Sequence, residues 1–129
     1  MKLVWHDFAW IGEESRTAAQ AARCAGQQSK FWEYHDYLYH HQRGENRGQF
    51  SSANLQAFAA DLGLDPAAFA DCLQRGADLP EIQQLLAQGR AEGIRATPTF
   101  VINGQRVAGA RSVNQVAALL DAELARLGQ

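Results

Sequence analysis

The 129 residues predict one α/β domain, and three observations carry that expectation. Lys2 to Phe8 alternates its side chains as a strand does. A long middle stretch follows the helical period, punctuated by cap and stop residues. Late in the chain an Asn-Gly pair sits between two short β-prone runs. The resulting order is strand, five helices, hairpin, helix, with no repeat, low-complexity tract or linker between domains.

In "KLVWHDFAW", Leu3 and Trp5 alternate with Val4 and His6, which predicts the strand. From Glu13 the period changes. Ala18, Ala21, Ala22 and Ala25 form a stripe of small residues on a helix, where another helix can approach closely, and Glu13 and Glu14 make an acidic first turn. "SKFWEYHDYLYHHQ" predicts a second helix with Ser29 as N-cap candidate and Phe31, Trp32, His35, Leu38 and Tyr39 on one side. "QRGENRGQ" is the clearest loop. A third helix begins at Ser51 or Ser52 and stops at Gly63. A fourth has Asp65 as N-cap, Pro66 at its first position and Gly76 at its end. A fifth opens on Asp78 with Glu81 at capping-box spacing, and the last opens on Ser112 and Gln115 in the same spacing. In that last helix Val113, Val116, Leu120, Leu124 and Leu127 form a stripe expected to face the core.

"GIRATPTFVINGQRVAGA" supplies the hairpin, because both residues of an Asn-Gly turn take positive φ. Pro98 cannot donate to a sheet ladder, so it marks a strand start, an edge or a special bend.

The totals are ordinary for a globular protein: 47% hydrophobic, 20% charged, net charge -2, with Lys and Arg scattered. That balance argues against nucleic acid or an anionic membrane as partner. No apolar run approaches the ~20 residues of a membrane span, and the N-terminus lacks a signal-peptide pattern, so membrane insertion is not expected and the chain as written reads as cytoplasmic. No Gly-rich phosphate loop follows the first strand, no cofactor is expected, and no Ser/His/Asp grouping is motivated by spacing. His35, His40 and His41 miss the i,i+4 spacing of helical metal ligands, so no metal site is expected. Phe31, Trp32, Tyr34, Tyr37 and Tyr39 read as helical core with hydroxyls at its rim, or else as a peptide-binding face. The two cysteines, Cys24 and Cys72, form no Cys-x-x-Cys; they fit one long-range disulfide or two buried thiols.

"AARCAGQQSKFWEYHDYLY" and "GIRATPTFVINGQRVAGA" resemble the DsbA-like thiol-disulfide oxidoreductases of the thioredoxin superfamily, in the branch whose helical insert carries a pattern close to "AARCAGEQGKFWEYHD". The similarity spans nearly the whole chain in the right order. It implies a thioredoxin-like α/β fold over residues 1–129, with a helical insert at about 13–92. It also implies a cis peptide before Pro98 and a substrate-docking loop at Ala96, Thr97 and Pro98, where a bound protein or peptide adds itself as an extended strand. Cys24 and Cys72 sit where cysteines recur in this branch, and a stabilising disulfide is a better reading than a redox pair.

The family's strand and Cys-x-x-Cys helix are absent, so no catalytic residue is assigned, and the chain is expected to be inactive alone in thiol exchange. In the usual sheet the missing strand lies between "KLVWHDF" and "TFVING". Either those strands close up directly, or a second chain completes the sheet as a homodimer or complementing partner. The resemblance therefore leaves two functions: a disulfide interchange protein or fragment of one, and a non-catalytic peptide- or protein-binding module. Relatives are mostly extracytoplasmic, which conflicts with the lack of an export signal.

Overall fold

The computed structural model describes residues 1–128. Six helices and two strands follow one another: α1 (Glu13–Gln27), α2 (Phe31–His40), α3 (Ser52–Asp61), α4 (Pro66–Arg75), α5 (Leu79–Ala91), β1 (Thr99–Ile102), β2 (Gln105–Ala108) and α6 (Val113–Arg126). The described residues are mostly helical, with one two-stranded antiparallel sheet. They separate into two compact units, Met1–Gln88 and Gly89–Gln129.

The helical unit is built on the small-residue face of α1. Ala21 and Ala25 are fully buried, which lets α2 and α4 close on them, and Cys24 is disulfide-bonded to Cys72 of α4 across a Cα separation of 5.7 Å. Tyr34, Leu55 and Phe69 fill the centre, and the Tyr34 hydroxyl donates to the Leu55 carbonyl at 2.8 Å, tying α2 to α3. Local chemistry sets the helix ends. Ser51 accepts from the Asn54 amide, and Asp65 from the Ala68 amide ahead of Pro66. Gly76 ends α4 in the left-handed region, where a side chain would also press on Leu79 at 2.8 Å.

Four expectations need correction here. Lys2–Phe8 forms no strand. A strand exists only through its ladder, and the described sheet contains β1 and β2 alone. The segment is held by side chains instead: Trp5 Nε1 donates to Asp7 Oδ1 at 3.0 Å, and Arg23 Nε donates to Asp7 Oδ2 at 2.8 Å. Ser29 does not cap α2. The amides of Gln28, Ser29 and Lys30 return to the carbonyls of Ala25 and Gly26, a tight reversal that puts Ser29 at φ 61° and leaves Lys30 in the cap position. The buried face of α2 is Tyr34 and Leu38, with Phe31 and Tyr37 packed beside it, while Trp32 and Tyr39 stand exposed. Finally, the Asp78 carboxylate accepts from Gln20 Nε2 at 3.1 Å and does not form the expected capping box on α5.

In the second unit β1 and β2 pair in register Thr99 with Ala108, Phe100 with Val107, Val101 with Arg106 and Ile102 with Gln105. The turn is Asn103–Gly104, both at positive φ as a primed turn requires. α6 carries the anticipated capping box between Ser112 and Gln115. Its apolar stripe is narrower than expected: Val116 and Leu120 are half-buried, but Val113, Leu124 and Leu127 are exposed. A two-stranded sheet covers too little of the helix to bury the rest. Glu123 is the buried residue of α6, accepting from Asn103 Nδ2 and Arg126 Nε, each at 2.8 Å, so it fastens the helix to the hairpin turn.

Candidate functional site

Ala96, Thr97 and Pro98, the residues expected to form a docking loop, lie between α5 and β1. The chain leaves α5 through Gly93, at φ +85°, with the Ile94 amide donating to the Gly89 carbonyl at 2.9 Å. The Arg106 guanidinium, from β2, comes within 3.3 Å of the place a Gly93 side chain would take, so an arginine lies across the approach to the loop. Ala96 is half-buried, while Thr97 and Pro98 are exposed. The Thr97–Pro98 peptide bond is cis.

Two bonds set the loop against the strand: the Thr99 hydroxyl donates to the Ala96 carbonyl at 2.6 Å, and the Gly109 amide donates to the Pro98 carbonyl at 2.8 Å. Since the Pro98 carbonyl faces β2, the alternation of backbone groups turns those of Thr99 and Val101 to the opposite edge. No strand occupies that edge among the described residues. An open edge at the mouth of an exposed loop can accept an extended peptide.

The cysteines are placed for a different task. Cys24 and Cys72 are bonded to each other and buried, and no free cysteine exists among the described residues. The Gln20 carboxamide lies over the bond, with Nε2 at 3.3 Å from Cys24 Sγ and 3.9 Å from Cys72 Sγ. Its Oε1 accepts from the Asp78 amide at 3.0 Å. Arg23 extends the network, donating through Nη1 to Glu81 at 2.8 Å as well as to Asp7. Burial works to lower the Arg23 pKa, but the carboxylates of Asp7 and Glu81 outweigh it and hold the pKa above its usual value. Sequence reasoning missed this group. Gln20 and Asp78 are 58 positions apart, and no motif links them.

The histidines pack among aromatic rings. His35 lies 4.5 Å from Trp5, 4.9 Å from Tyr39 and 5.2 Å from Trp32 between ring centroids, and His41 stacks on Tyr37 at 4.0 Å. Although Tyr39 is exposed as a residue, partial desolvation of its hydroxyl, and then the charge of Asp7, push that hydroxyl above its ordinary pKa. Among the described residues no three His, Cys, Asp or Glu side chains are grouped to hold a metal ion, and no helix is long and apolar enough to cross a membrane.

Comparison with known proteins follows the same outline. The chain is 34% identical over 105 residues to the Na(+)/H(+) antiporter NhaA of Herminiimonas arsenicoxydans, covering 81% of this chain and 16% of that protein. It is 32% identical over 111 residues to the Na(+)/H(+) antiporter NhaA 1 of Salinispora arenicola, covering 86% and 16%. The Na(+)/H(+) antiporter NhaA 3 of Salinispora tropica gives 32% over 104 residues, covering 81% and 15%. The chain thus spans about one sixth of the length of these curated relatives. No solved structure matches it. A family model described as thioredoxin matches residues 1–122, nearly the entire chain and both of its units, and on that match the chain belongs to the DsbA-like thioredoxin family.

Proposed function

We propose that this chain is the peptide-docking part of a DsbA-like thiol:disulfide interchange unit. Its partner is a protein or peptide that lies along Ala96, Thr97 and Pro98. The exposed turn of Thr97 and Pro98 that leads into β1 is the observation that carries the reading. The dithiol that exchanges with substrate is not among these residues, whose two cysteines are bonded to each other beneath Gln20. The chain therefore binds substrate strands without oxidising or reducing them itself.

Amide chemical shifts recorded during titration with an extended peptide test this directly. Changes centred on Thr97, Thr99 and Val101 are expected, together with no insulin reduction by the chain alone. Changes centred on α2 or α6, or insulin reduction at rates typical of the family, would overturn it.

A second reading is favoured by Leu3, Val4 and Trp5, which are exposed in a segment that alternates like a strand but has no ladder. Here the chain is a non-catalytic binding module that completes its sheet with a second copy or a complementing chain. Sedimentation equilibrium tests the form of this reading that uses a second copy: a monomer at high micromolar concentration rules out the homodimer.

A further inference from the structure

The turn that closes the hairpin holds the chain's one asparagine followed by glycine. Asn103 and Gly104 are both exposed at its tip, and nothing stands within 4 Å of the place a Gly104 side chain would take. The backbone nitrogen of Gly104 can therefore be approached without steric hindrance. Asn46 precedes Arg47, Asn54 precedes Leu55 and Asn114 precedes Gln115, so in each of those pairs a side chain crowds the following amide.

The same asparagine fastens the hairpin to α6. Its Nδ2 donates to Glu123 Oε1 at 2.8 Å, and Glu123 is buried where the rest of the helix is half-buried or exposed. Arg126 Nε donates to the other carboxylate oxygen at 2.8 Å. Glu123 thus accepts from one cation and one neutral amide. A second carboxylate in place of that amide would remove the donor and set two negative charges at hydrogen-bond distance. Both contacts lie within residues 103–126, and neither involves the outer edge of β1.

We propose that Asn103 is a site of deamidation, and that its conversion to an acid unfastens α6 from the hairpin. The Gly104 nitrogen, after losing its proton to hydroxide, attacks Asn103 Cγ. A bond forms between that nitrogen and Cγ, the bond from Cγ to Nδ2 breaks, and ammonia leaves with a proton taken from water. Water then opens the succinimide at either carbonyl, giving aspartate or isoaspartate. No electrons are exchanged, and solvent water is the co-reactant. The isoaspartate form also adds a methylene to the main chain, which the Asn103–Gly104 primed turn cannot absorb without losing its match to the strands. In the folded chain the carboxamide is pinned to Glu123 and both turn residues hold positive φ, so the nitrogen reaches Cγ only when the turn opens. Conversion therefore records hairpin opening and then makes it permanent. The inference does not depend on the docking reading.

The test ages the whole chain in mildly alkaline buffer beside the free peptide 96–106, then reads the tryptic peptide 96–106 by tandem mass spectrometry. Conversion is expected at Asn103, ahead of Asn46, Asn54 and Asn114, and slower in the folded chain than in the free peptide. Glu123→Ala frees the carboxamide and should speed conversion about fivefold, the effect of one hydrogen bond. The converted chain carries an extra negative charge and is separated by anion exchange. Its α6 amides should exchange with deuterium about fivefold faster than those of the unconverted chain, with α1 and α4 unchanged. That comparison needs no substitution. Asn103→Asp should show the same gain, and Asn103→Asp/Glu123→Gln should reverse it, because the new carboxamide can donate to the new carboxylate.

A folded chain whose Asn103 stays unconverted while the free peptide reacts to completion overturns the site. Equal rates in chain and peptide overturn the gating by hairpin opening. Unchanged α6 exchange in both the converted chain and Asn103→Asp overturns the unfastening. A gain that persists in Asn103→Asp/Glu123→Gln overturns the role of the paired carboxylates.

Discussion

Removing the Cys24–Cys72 bond should cost the helical unit a large share of its stability. The bond closes a loop of 48 positions between α1 and α4. In the chain-entropy treatment, a closure of that length restricts the unfolded chain by about 4 kcal/mol at 25 °C. Whole domains of this size are stable by about 5–15 kcal/mol, so the bond accounts for a substantial part of the total. Two perturbations separate the cross-link from the packing of its sulfurs. Reduction of the native protein keeps both sulfurs in place beside Gln20. Cys24→Ala/Cys72→Ala also removes their contacts and should cost somewhat more. Urea unfolding followed by far-ultraviolet circular dichroism gives both free energies. Each is expected to fall by about 3–5 kcal/mol, with a steeper urea dependence because the unlinked denatured chain is more expanded. A loss below about 1 kcal/mol in the reduced protein would refute the entropic argument and reopen the redox reading of the pair.

Three further outcomes follow from single contacts. Tyr34→Phe deletes the buried hydrogen bond to the Leu55 carbonyl while keeping the ring, and should lower unfolding stability by about 1 kcal/mol in the same urea experiment. Asp7→Asn removes the charge that Arg23 and Trp5 share; a loss of about 1–3 kcal/mol is expected, with a red shift in tryptophan emission as Trp5 detaches from its neighbours. The Arg126 guanidinium, aided by the Asn103 amide, holds the Glu123 pKa down to about 2. A carboxyl whose folded pKa lies below its unfolded value adds stability above the unfolded value and loses it as pH falls. Hydrogen-exchange protection at the hairpin turn, measured relative to the intrinsic rate at each pH, should therefore fall progressively as the pH drops from about 4.5 toward 2. Glu123→Gln should abolish that pH dependence.

Features set by neighbours in sequence were legible without coordinates. Asp65–Pro66 and Gly76 bracket α4, Ser112 and Gln115 box the start of α6, and Asn103–Gly104 turns the hairpin, because each depends on bonds reaching only a few residues. Ser29 shows the limit of such signals: the reversal after Gly26 consumed the local amides and put the serine in a left-handed conformation before it could cap. Lys2–Phe8 shows another. Alternation records that a segment suits a sheet, but a strand needs a partner, and the pattern says nothing about whether one is present. The loop at Ala96–Pro98 was legible from its resemblance to a family. The exposed arginine beside it was not, because Arg106 is thirteen positions beyond Gly93 and only the folded chain brings its guanidinium near that glycine.

The two units also differ in how they are held together, and this bears on binding. The helical unit has a buried core and a cross-link. Among the described residues of the second unit no apolar side chain is fully buried; Phe100, Ile102, Val107, Val116 and Leu120 are all half-buried. A two-stranded sheet is marginal in water, and a third strand is what such a sheet ordinarily needs. A ligand that binds only the ordered hairpin stabilises it by mass action. At a hundredfold excess of free peptide over Kd that amounts to about 2.7 kcal/mol, or roughly a hundredfold slower exchange at amides that open only when the hairpin opens. Hydrogen exchange should therefore slow at Phe100 and Val107 when a peptide docks at Ala96–Pro98, with α1 and α4 unchanged. Equal slowing in both units would mean that the peptide acts on global stability, and no slowing at the hairpin would place it elsewhere on the protein.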